Sequence, residues 1–91
     1  MNWVAKLSDE EVRKIIARLF TGSPIKRKEA ETVLSALGSE FRPGKGKGSH
    51  GRWLLPNGET ATLPGKASKD LSIGVRQSLK KQLRNNGVTN D

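Results

Sequence analysis

The 91-residue sequence contains no cysteine and only one histidine. Without cysteine there is no disulfide framework, no thiolate nucleophile and no thiolate-bound metal, which suits a reducing compartment. No apolar run is longer than three residues, too short for a membrane span or for the apolar centre of a secretory signal. We therefore expect a cytoplasmic protein that needs no metal or other cofactor and has no membrane partner.

Acidic side chains are scarce: 17 Lys and Arg stand against nine Asp and Glu, for a net charge of +8. Residues 1–40 carry seven basic and six acidic side chains, whereas residues 41–91 carry ten and three. A field of this sign attracts anionic partners such as nucleic acid. The second half of the chain is therefore predicted to contact the anion.

The first helix is predicted to begin at the capping-box pattern "SDEE" of Ser8–Glu11, with Leu7 and Val12 as a hydrophobic staple. Apolar residues then recur at helical spacing: Val12, Ile15, Ile16, Leu19 and Phe20. Thr21, Gly22 and Ser23 should end this helix.

A second helix is predicted after Pro24, which suits the first helical position. The basic residues of Lys26–Lys28 oppose the helix dipole there, so the start could lie nearer Lys28. Its apolar stripe is Ala30, Val33, Leu34 and Leu37. Gly38 is the predicted end.

The periodicity then changes to that of strands, predicted at Ser39–Arg42, His50–Leu55 and Glu59–Leu63. Between the last two, Pro56 and Asn57 fit a type I turn and Gly58 the left-handed position of a three-residue hairpin. One face then carries Trp53, Leu55, Ala61 and Leu63, and the other His50, Arg52, Thr60 and Thr62, with Leu54 as a misfit. A two-residue Asn-Gly turn would shift the pairing by one residue.

A last helix is predicted after the loop at residues 64–69, with Ser72 as its N-cap. Val75, Leu79 and Leu83 should face inward; Arg76, Lys80, Lys81 and Arg84 should point outward. Asn85–Asp91 should be a frayed tail. Trp3, Phe20, Phe41 and Trp53 are expected in the core. The predicted architecture is α+β: helix, helix, three antiparallel strands and helix, with one sheet face open for a ligand.

The segment Arg42–Trp53, "RPGKGKGSHGRW", alternates glycines with lysines ahead of the histidine. Glycines let backbone N–H groups approach an anion, and Lys45 and Lys47 add charge, so the segment could cradle a phosphate. A flexible solvated turn explains the same composition. The spacing is not that of a nucleotide-hydrolysing P-loop.

His50 is the candidate catalytic residue, because the ordinary pKa of histidine suits proton transfer near neutral pH. On RNA it could accept the proton of a 2′-OH that attacks the adjacent phosphate. Basic side chains would stabilise the developing charge. Candidate phosphate contacts are Lys45, Lys47 and Arg52, with Lys80, Lys81 and Arg84 on the last helix; the basic helix could equally serve solubility alone.

Two segments, "KGSHGRWLLPNGETATLPG" and "KDLSIGVRQSLKKQL", resemble the HicA toxins, small messenger-RNA interferases of bacterial toxin–antitoxin pairs. The resemblance covers about residues 26–87. It implies a fold like that of a double-stranded RNA-binding domain (dsRBD), with His50 as the catalytic residue and Gly48 before it in the site. It also implies metal-independent cleavage of messenger RNA and a HicB-type antitoxin partner.

Two features depart from these relatives. Gly51 stands where many have a second histidine or a bulky residue, and the first helix is an addition to the family pattern. We accordingly divide the chain into an extension (1–22), a HicA-like domain (23–87) and a tail (88–91). The alternatives are a non-catalytic double-stranded RNA-binding module and an interaction protein whose basic surface binds an acidic partner.

Overall fold

The computed structural model describes residues 7–43 and 51–90 of the chain. Its elements in chain order are α1 (Glu10–Phe20), α2 (Arg27–Leu37), β1 (Glu40–Pro43), β2 (Gly51–Leu54), β3 (Thr60–Leu63) and α3 (Ile73–Asn85). The strands form one antiparallel sheet in the order β1-β2-β3. This arrangement confirms the predicted α+β, dsRBD-like architecture with an additional N-terminal helix.

The apolar stripe of α1 lies in the same hydrophobic core as the buried residues of α2, α3 and the sheet. Its buried members are Val12, Ile15, Ile16 and Leu19, with Phe20 packed against them. The prediction of Ser8 as the N-cap is wrong by one residue. Asp9 caps the helix, because its carboxylate accepts the N–H groups of Glu11 (2.9 Å) and Val12 (3.3 Å). Carboxylates then fill the first turn, where the helix dipole favours them.

Helix α2 begins at Arg27, near the predicted Lys28 and not at Pro24. Ile25, between the proline and the helix, is held by a backbone pairing: its carbonyl accepts the N–H of Leu71 at 2.9 Å. Backbone held in that way cannot form the first helical turn. The helix ends at its predicted glycine, and the predicted stripe is buried: Ala30, Val33, Leu34 and Leu37.

The turn between β2 and β3 has the predicted three-residue form. Gly58 has a φ of 93°, and its N–H donates to the Leu55 carbonyl at 2.9 Å. The N–H of Leu55 donates to the carbonyl of Glu59 at 2.8 Å. Trp53 is therefore paired with Ala61 as predicted, and the two-residue turn is wrong.

The sheet has a core face and an open face. Leu55, Ala61 and Leu63 are buried on the core side, and Trp53 packs against them. We call the other side the open face; it carries Glu40, Arg42, Arg52, Leu54, Thr60 and Thr62. All of these are exposed except Leu54, the predicted misfit, which is half-buried.

The residues after α3 are packed, so the predicted frayed tail is wrong for residues 85–90. Val88 is 2% exposed, and its N–H donates to the carbonyl of Leu83 at 2.9 Å. The carbonyl of Thr89 accepts a hydrogen bond from Arg13 of α1 at 2.9 Å. One apolar residue in a polar segment is enough to fold the chain back onto the core.

Candidate nucleic-acid interface

Half of the predicted site residues lie outside the described part of the chain. They are the predicted catalytic His50 and its neighbours Lys45, Lys47 and Gly48. Their roles stay predictions. The structure places the other half, Arg52, Lys80, Lys81 and Arg84, on two separate surfaces.

The residue directly after His50 is tightly packed. Gly51 is buried at the beginning of β2. A Cβ at this position would lie 2.8 Å from Cε1 of Phe41 and 2.9 Å from Nη2 of Arg27. These groups can come so close because residue 51 has no side chain. Gly51 thus has a structural reason, and its buried backbone lies at the beginning of the strand.

Arg27 joins three parts of the fold at this point. Besides approaching Gly51, its guanidinium donates a hydrogen bond to the carbonyl of Gly65 in the loop after β3. Its Nε lies 3.7 Å from the carboxylate of Glu31, one turn further along α2. The Arg27 side chain is only 14% exposed. It is a structural arginine, turned to the helical side of the sheet.

Two other arginines lie side by side on the open face. The strand register pairs Arg42 with Arg52, and Arg52 with Thr62 of β3. All three residues are exposed, and we call them the arginine row. Arg42 lies 3.8 Å from the carboxylate of Glu40. The side chain of Arg52 has no hydrogen bond or ion pair with any other described residue.

Sequence reasoning missed Arg42. It assigned the residue to a strand but left the pairing of that strand with β2 undetermined. The pairing depends on the segment 44–50, whose length does not specify a register. The available signal was a basic residue in each of two neighbouring strands, and only the observed register shows that Arg42 and Arg52 are direct neighbours.

The basic side chains of α3 are largely occupied by α1. Arg76 donates to the carbonyl of Gly22 at 3.0 Å, and Lys80 donates to the carbonyl of Phe20 at 3.3 Å. The Phe20 ring lies under Lys80 at 5.8 Å and under Arg84 at 5.5 Å. The prediction that all four basic residues of α3 point into solvent is therefore wrong for Arg76 and Lys80, which are half-buried. Cations are favoured at this helix end, because the last carbonyls of α1 carry partial negative charge.

The aromatic residues divide between core and surface. Trp53 and Phe20 pack against the core as predicted. Phe41 is 49% exposed, so its assignment to the core is wrong. Its ring leans on Trp53, with centroids 5.3 Å apart and planes tilted by 60°. β1 is an edge strand of the described sheet, so no strand lies on its outer side to cover the ring. Trp3 lies outside them.

One ion pair links α1 to α2. Arg18 contacts the carboxylate of Glu29, which also accepts the N–H of Lys26 at 2.9 Å. Burial opposes the charged form of this carboxylate. The hydrogen bond from Arg18, the N–H of Lys26 and the positive charges of both residues outweigh burial and hold the pKa of Glu29 below its ordinary value. The pair links α1 to α2 and involves no residue of the strands.

A groove of about 460 Å³ runs between the free edge of β3 and α3. Its lining is neutral: Thr60, Thr62, Ser72, Ser78 and Gln82 around Ala61, Leu63, Val75 and Leu79. Gln82 donates to the carbonyl of Thr60 at 2.8 Å and covers part of the strand edge. A site without titratable side chains offers neither acid-base chemistry nor charge for a phosphate.

In the described part of the chain, no three His, Asp or Glu side chains are grouped to hold a metal ion. No helix in residues 7–43 and 51–90 has the length and apolar composition needed to cross a membrane.

No curated protein and no solved structure is significantly similar to the chain. A family model does match: the HicA toxin of bacterial toxin–antitoxin systems, over residues 27–84. The match begins with α2, includes the sheet and the segment with His50, and ends in α3, so α1 precedes it. It covers well over half of the 91 residues and confirms the resemblance drawn from the motifs. The chain belongs to the HicA toxin family.

Proposed function

We propose that this chain is the toxin of a toxin–antitoxin pair and cuts messenger RNA with His50, without a metal or other cofactor. Membership in the HicA toxin family supports the toxin role. The excess of basic residues in 41–91 supports an RNA substrate. The proposal depends above all on the place of His50 in the chain, directly before buried Gly51 and two residues before exposed Arg52.

The chemistry requires a base of near-neutral pKa, which histidine provides. His50 accepts the proton of a ribose 2′-OH, and the oxygen attacks the adjacent phosphorus. The P–O5′ bond breaks, and the leaving oxygen takes a proton, which the His50 imidazolium can return. The products are a 2′,3′-cyclic phosphate and a 5′-hydroxyl end.

The charge that develops on the phosphate needs positive partners and N–H donors. Lys45, Lys47 and Arg52 are the proposed side-chain contacts, and the backbone at Gly48 a proposed close approach. On α3, Lys81 is exposed and free to join them. Lys80 and Arg84 would bind RNA in addition to their contacts with Phe20.

The partner implied by the family is a cognate antitoxin. We propose that it is of the HicB type and masks the site. An acidic surface would complement the net charge of +8.

A non-catalytic double-stranded RNA-binding module is the second candidate function, favoured by the dsRBD-like order of elements and the basic charge. Such a module reads the shape of A-form RNA through phosphate and 2′-OH contacts and needs no histidine. The two candidates therefore differ in what the loss of His50 should do.

The test is His50→Ala, compared with Lys28→Ala, an exposed change on the helical side of the sheet. We expect His50→Ala to cut RNA about 10²- to 10⁴-fold more slowly, the range for loss of acid-base catalysis. It should still bind RNA, and the growth arrest caused by expression of the parent should vanish. Lys28→Ala should retain both activities. EDTA should leave cleavage unchanged, and the fragments should carry 2′,3′-cyclic phosphate ends.

Cleavage by His50→Ala at the parental rate would remove the histidine from the mechanism. If neither the parent nor His50→Ala cuts any RNA while both bind duplex RNA, the binding-module function replaces the proposed one.

A further inference from the structure

We infer that Arg42 and Arg52 together hold one phosphodiester group of the RNA, so that the strand crosses the open face of the sheet. This inference deepens the proposed function and rests on it for the identity of the anion. It adds Arg42 to the binding residues and assigns the two arginines a shared ligand.

The arginine row carries positive charge that the other described residues compensate only weakly. Directly opposite residues of antiparallel strands have their Cβ atoms about 4.5–5.5 Å apart, and like charges there are destabilising. Among the described residues, the one carboxylate that pairs with either arginine is Glu40, 3.8 Å from Arg42, with 71% of its side chain exposed against 57% for Arg42. An ion pair so exposed and so long is weak. An anion bound between Arg42 and Arg52 would relieve the repulsion.

Phosphate fits this arrangement better than other anions. A guanidinium presents paired N–H donors that match two phosphate oxygens, and two guanidinium groups can share one phosphate from opposite sides. Thr62 completes the row with a hydroxyl donor on the adjacent strand. Three donors in a line across the sheet suit a backbone that runs over it.

The rest of the open face argues for a nucleic-acid strand and against a protein partner. Protein interfaces depend on buried aromatic or aliphatic anchors. Among its described residues, the open face offers one half-buried apolar side chain, Leu54, surrounded by exposed polar and charged ones. An acidic protein that covers this face would need its anchors elsewhere, whereas an RNA backbone needs only the charge and the donors.

The other basic surface is less available. On α3, Arg76 and Lys80 donate to carbonyls of α1 and its following turn, and Arg84 lies over Phe20. Arg52 is free of such contacts among the described residues and lies two positions after His50. A phosphate at the arginine row is therefore close in sequence to the proposed base.

The experiment measures binding of a fluorescent single-stranded RNA of mixed sequence over a range of salt concentrations. All variants are built in the full-length chain with His50→Ala, so that nothing is cut. They are Arg42→Gln, Arg52→Gln and the double variant; the control is Lys28→Gln with Lys69→Gln, which removes the same charge from exposed positions elsewhere. A second series uses the parental chain and 2′-O-methyl RNA, which lacks the nucleophile.

We expect each single variant to bind about tenfold more weakly, as for loss of a charge-assisted hydrogen bond. Because the ligand is shared, the double variant should lose only about ten- to thirtyfold, well short of the product of the two. In the double variant, the magnitude of the slope of log K for RNA binding against log salt concentration should be smaller by about 0.7, the contribution of one phosphate of a single strand. The control should lose less than about twofold, because its lysines lie off the row. DNA of the same sequence should show the same relative losses.

Parental affinity of the double variant, or an equal loss in the lysine control, would overturn the inference. So would losses that multiply with a slope change of about 1.4, since that indicates two separate phosphates. A loss confined to RNA would mean that the pair reads the 2′-OH, and equal competition by polyglutamate would mean that it binds carboxylates as well as phosphate; either result would overturn the inference. Cleavage by the parental chain is scored separately, so the proposed function can fail while the phosphate site stands, and the reverse.

Discussion

Basic side chains lie both on the open face of the sheet and on α3, but they make different contacts on the two surfaces. On α3, Arg76 and Lys80 bind carbonyls at the end of α1, and Arg84 lies over Phe20. On the open face, Arg42 and Arg52 stand next to each other with little to compensate them. A basic residue next to unpaired helix carbonyls stabilises the fold, whereas two guanidinium groups on an open sheet favour an outside anion.

Charge counts alone do not locate a surface that could bind RNA. Residues 41–91 contain ten basic side chains; the sequence assigns Arg42 and Arg52 to strands, four others to the last helix and the remaining four to the connecting segments. The additional helix α1 is what separates the two groups. It provides carbonyls and an aromatic ring that hold the cations of α3.

The largest expected effect concerns α1 itself. Ile16 has no exposed surface, and Ile16→Ala should reduce the free energy of unfolding by about 2–5 kcal/mol, because it leaves a cavity in the shared core. Thermal or urea unfolding of the full chain measures this. Ala17→Ser, at a half-buried position of the same helix, is the control and should reduce the free energy of unfolding by less. An unchanged stability for Ile16→Ala would mean that α1 is a separable extension and that α3 does not depend on it.

The next effect concerns the turn that positions the open face. Gly58 has a φ of 93°, and a β-branched residue is strained in that region. Gly58→Val should destabilise the protein by about 1 kcal/mol or more, and Gly58→Asn, which tolerates the left-handed region, by less. Melting temperatures of the two variants check the order. Equal melting of Gly58→Val and the parent would contradict the hairpin geometry that turns Arg52 to the open face.

The two basic surfaces can be compared directly by mutation. Arg76→Ala with Lys80→Ala should cost about 1–2 kcal/mol of stability, because two charge-assisted hydrogen bonds to the end of α1 are lost. Lys81→Ala, an exposed neighbour, should stay within about 0.5 kcal/mol of the parent. Urea titrations measure both. If the Arg76 and Lys80 variant melts normally but weakens RNA binding as much as loss of the arginine row, the distinction between the surfaces fails.

The smallest effect is a pH dependence at the α1–α2 contact. The folded pKa of Glu29 lies below its ordinary value of 4.5, so its ion pair with Arg18 stabilises the fold above that pH and ceases to do so as pH falls through the folded pKa. At neutral pH, Glu29→Gln should cost less than about 1 kcal/mol, because Arg18 is partly exposed. Below pH 4.5 the variant and the parent should converge in stability.

Unfolding curves of Glu29→Gln, Arg18→Gln and the double variant complete this test. The two single variants should lose similar amounts and the double variant no more than either, because one interaction is removed in each case. A constant difference between Glu29→Gln and the parent at all pH values would show that the carboxylate acts through something other than its charge.

Much of the architecture could be predicted from the chain because its signals are local. The stripes of α1 and α2, the glycine that ends α2 and the Pro-Asn-Gly turn each depend on a few neighbouring residues. The predictions that were wrong concern segments held by contacts with residues distant in sequence. Pro24 does not start a helix because the next residue pairs with Leu71, and residues 85–90 are not frayed because Val88 reaches the core.

The candidate site divides in the same way. His50 and Gly48 were identified from a motif whose residues are adjacent in sequence, and Arg52 from the alternation of one strand. Arg42 required the pairing of β1 with β2 across the segment 44–50. Phe41 was assigned to the core because an edge strand and a central strand have the same alternation in sequence.

By itself, the sequence determined the order of helices and strands, the excess of positive charge and the family to which the chain belongs, and it limited the hairpin to two registers. These follow from periodicity, turn chemistry and composition, which act over short stretches of chain. The tertiary structure alone decided which cations remain available to a ligand: packing brought the end of α1 against α3 and placed Arg42 beside Arg52. Whether a cation can bind a ligand depends on the groups that lie within a few ångströms of it. Lys80 and Phe20 are 60 positions apart in sequence and meet only after the chain has folded.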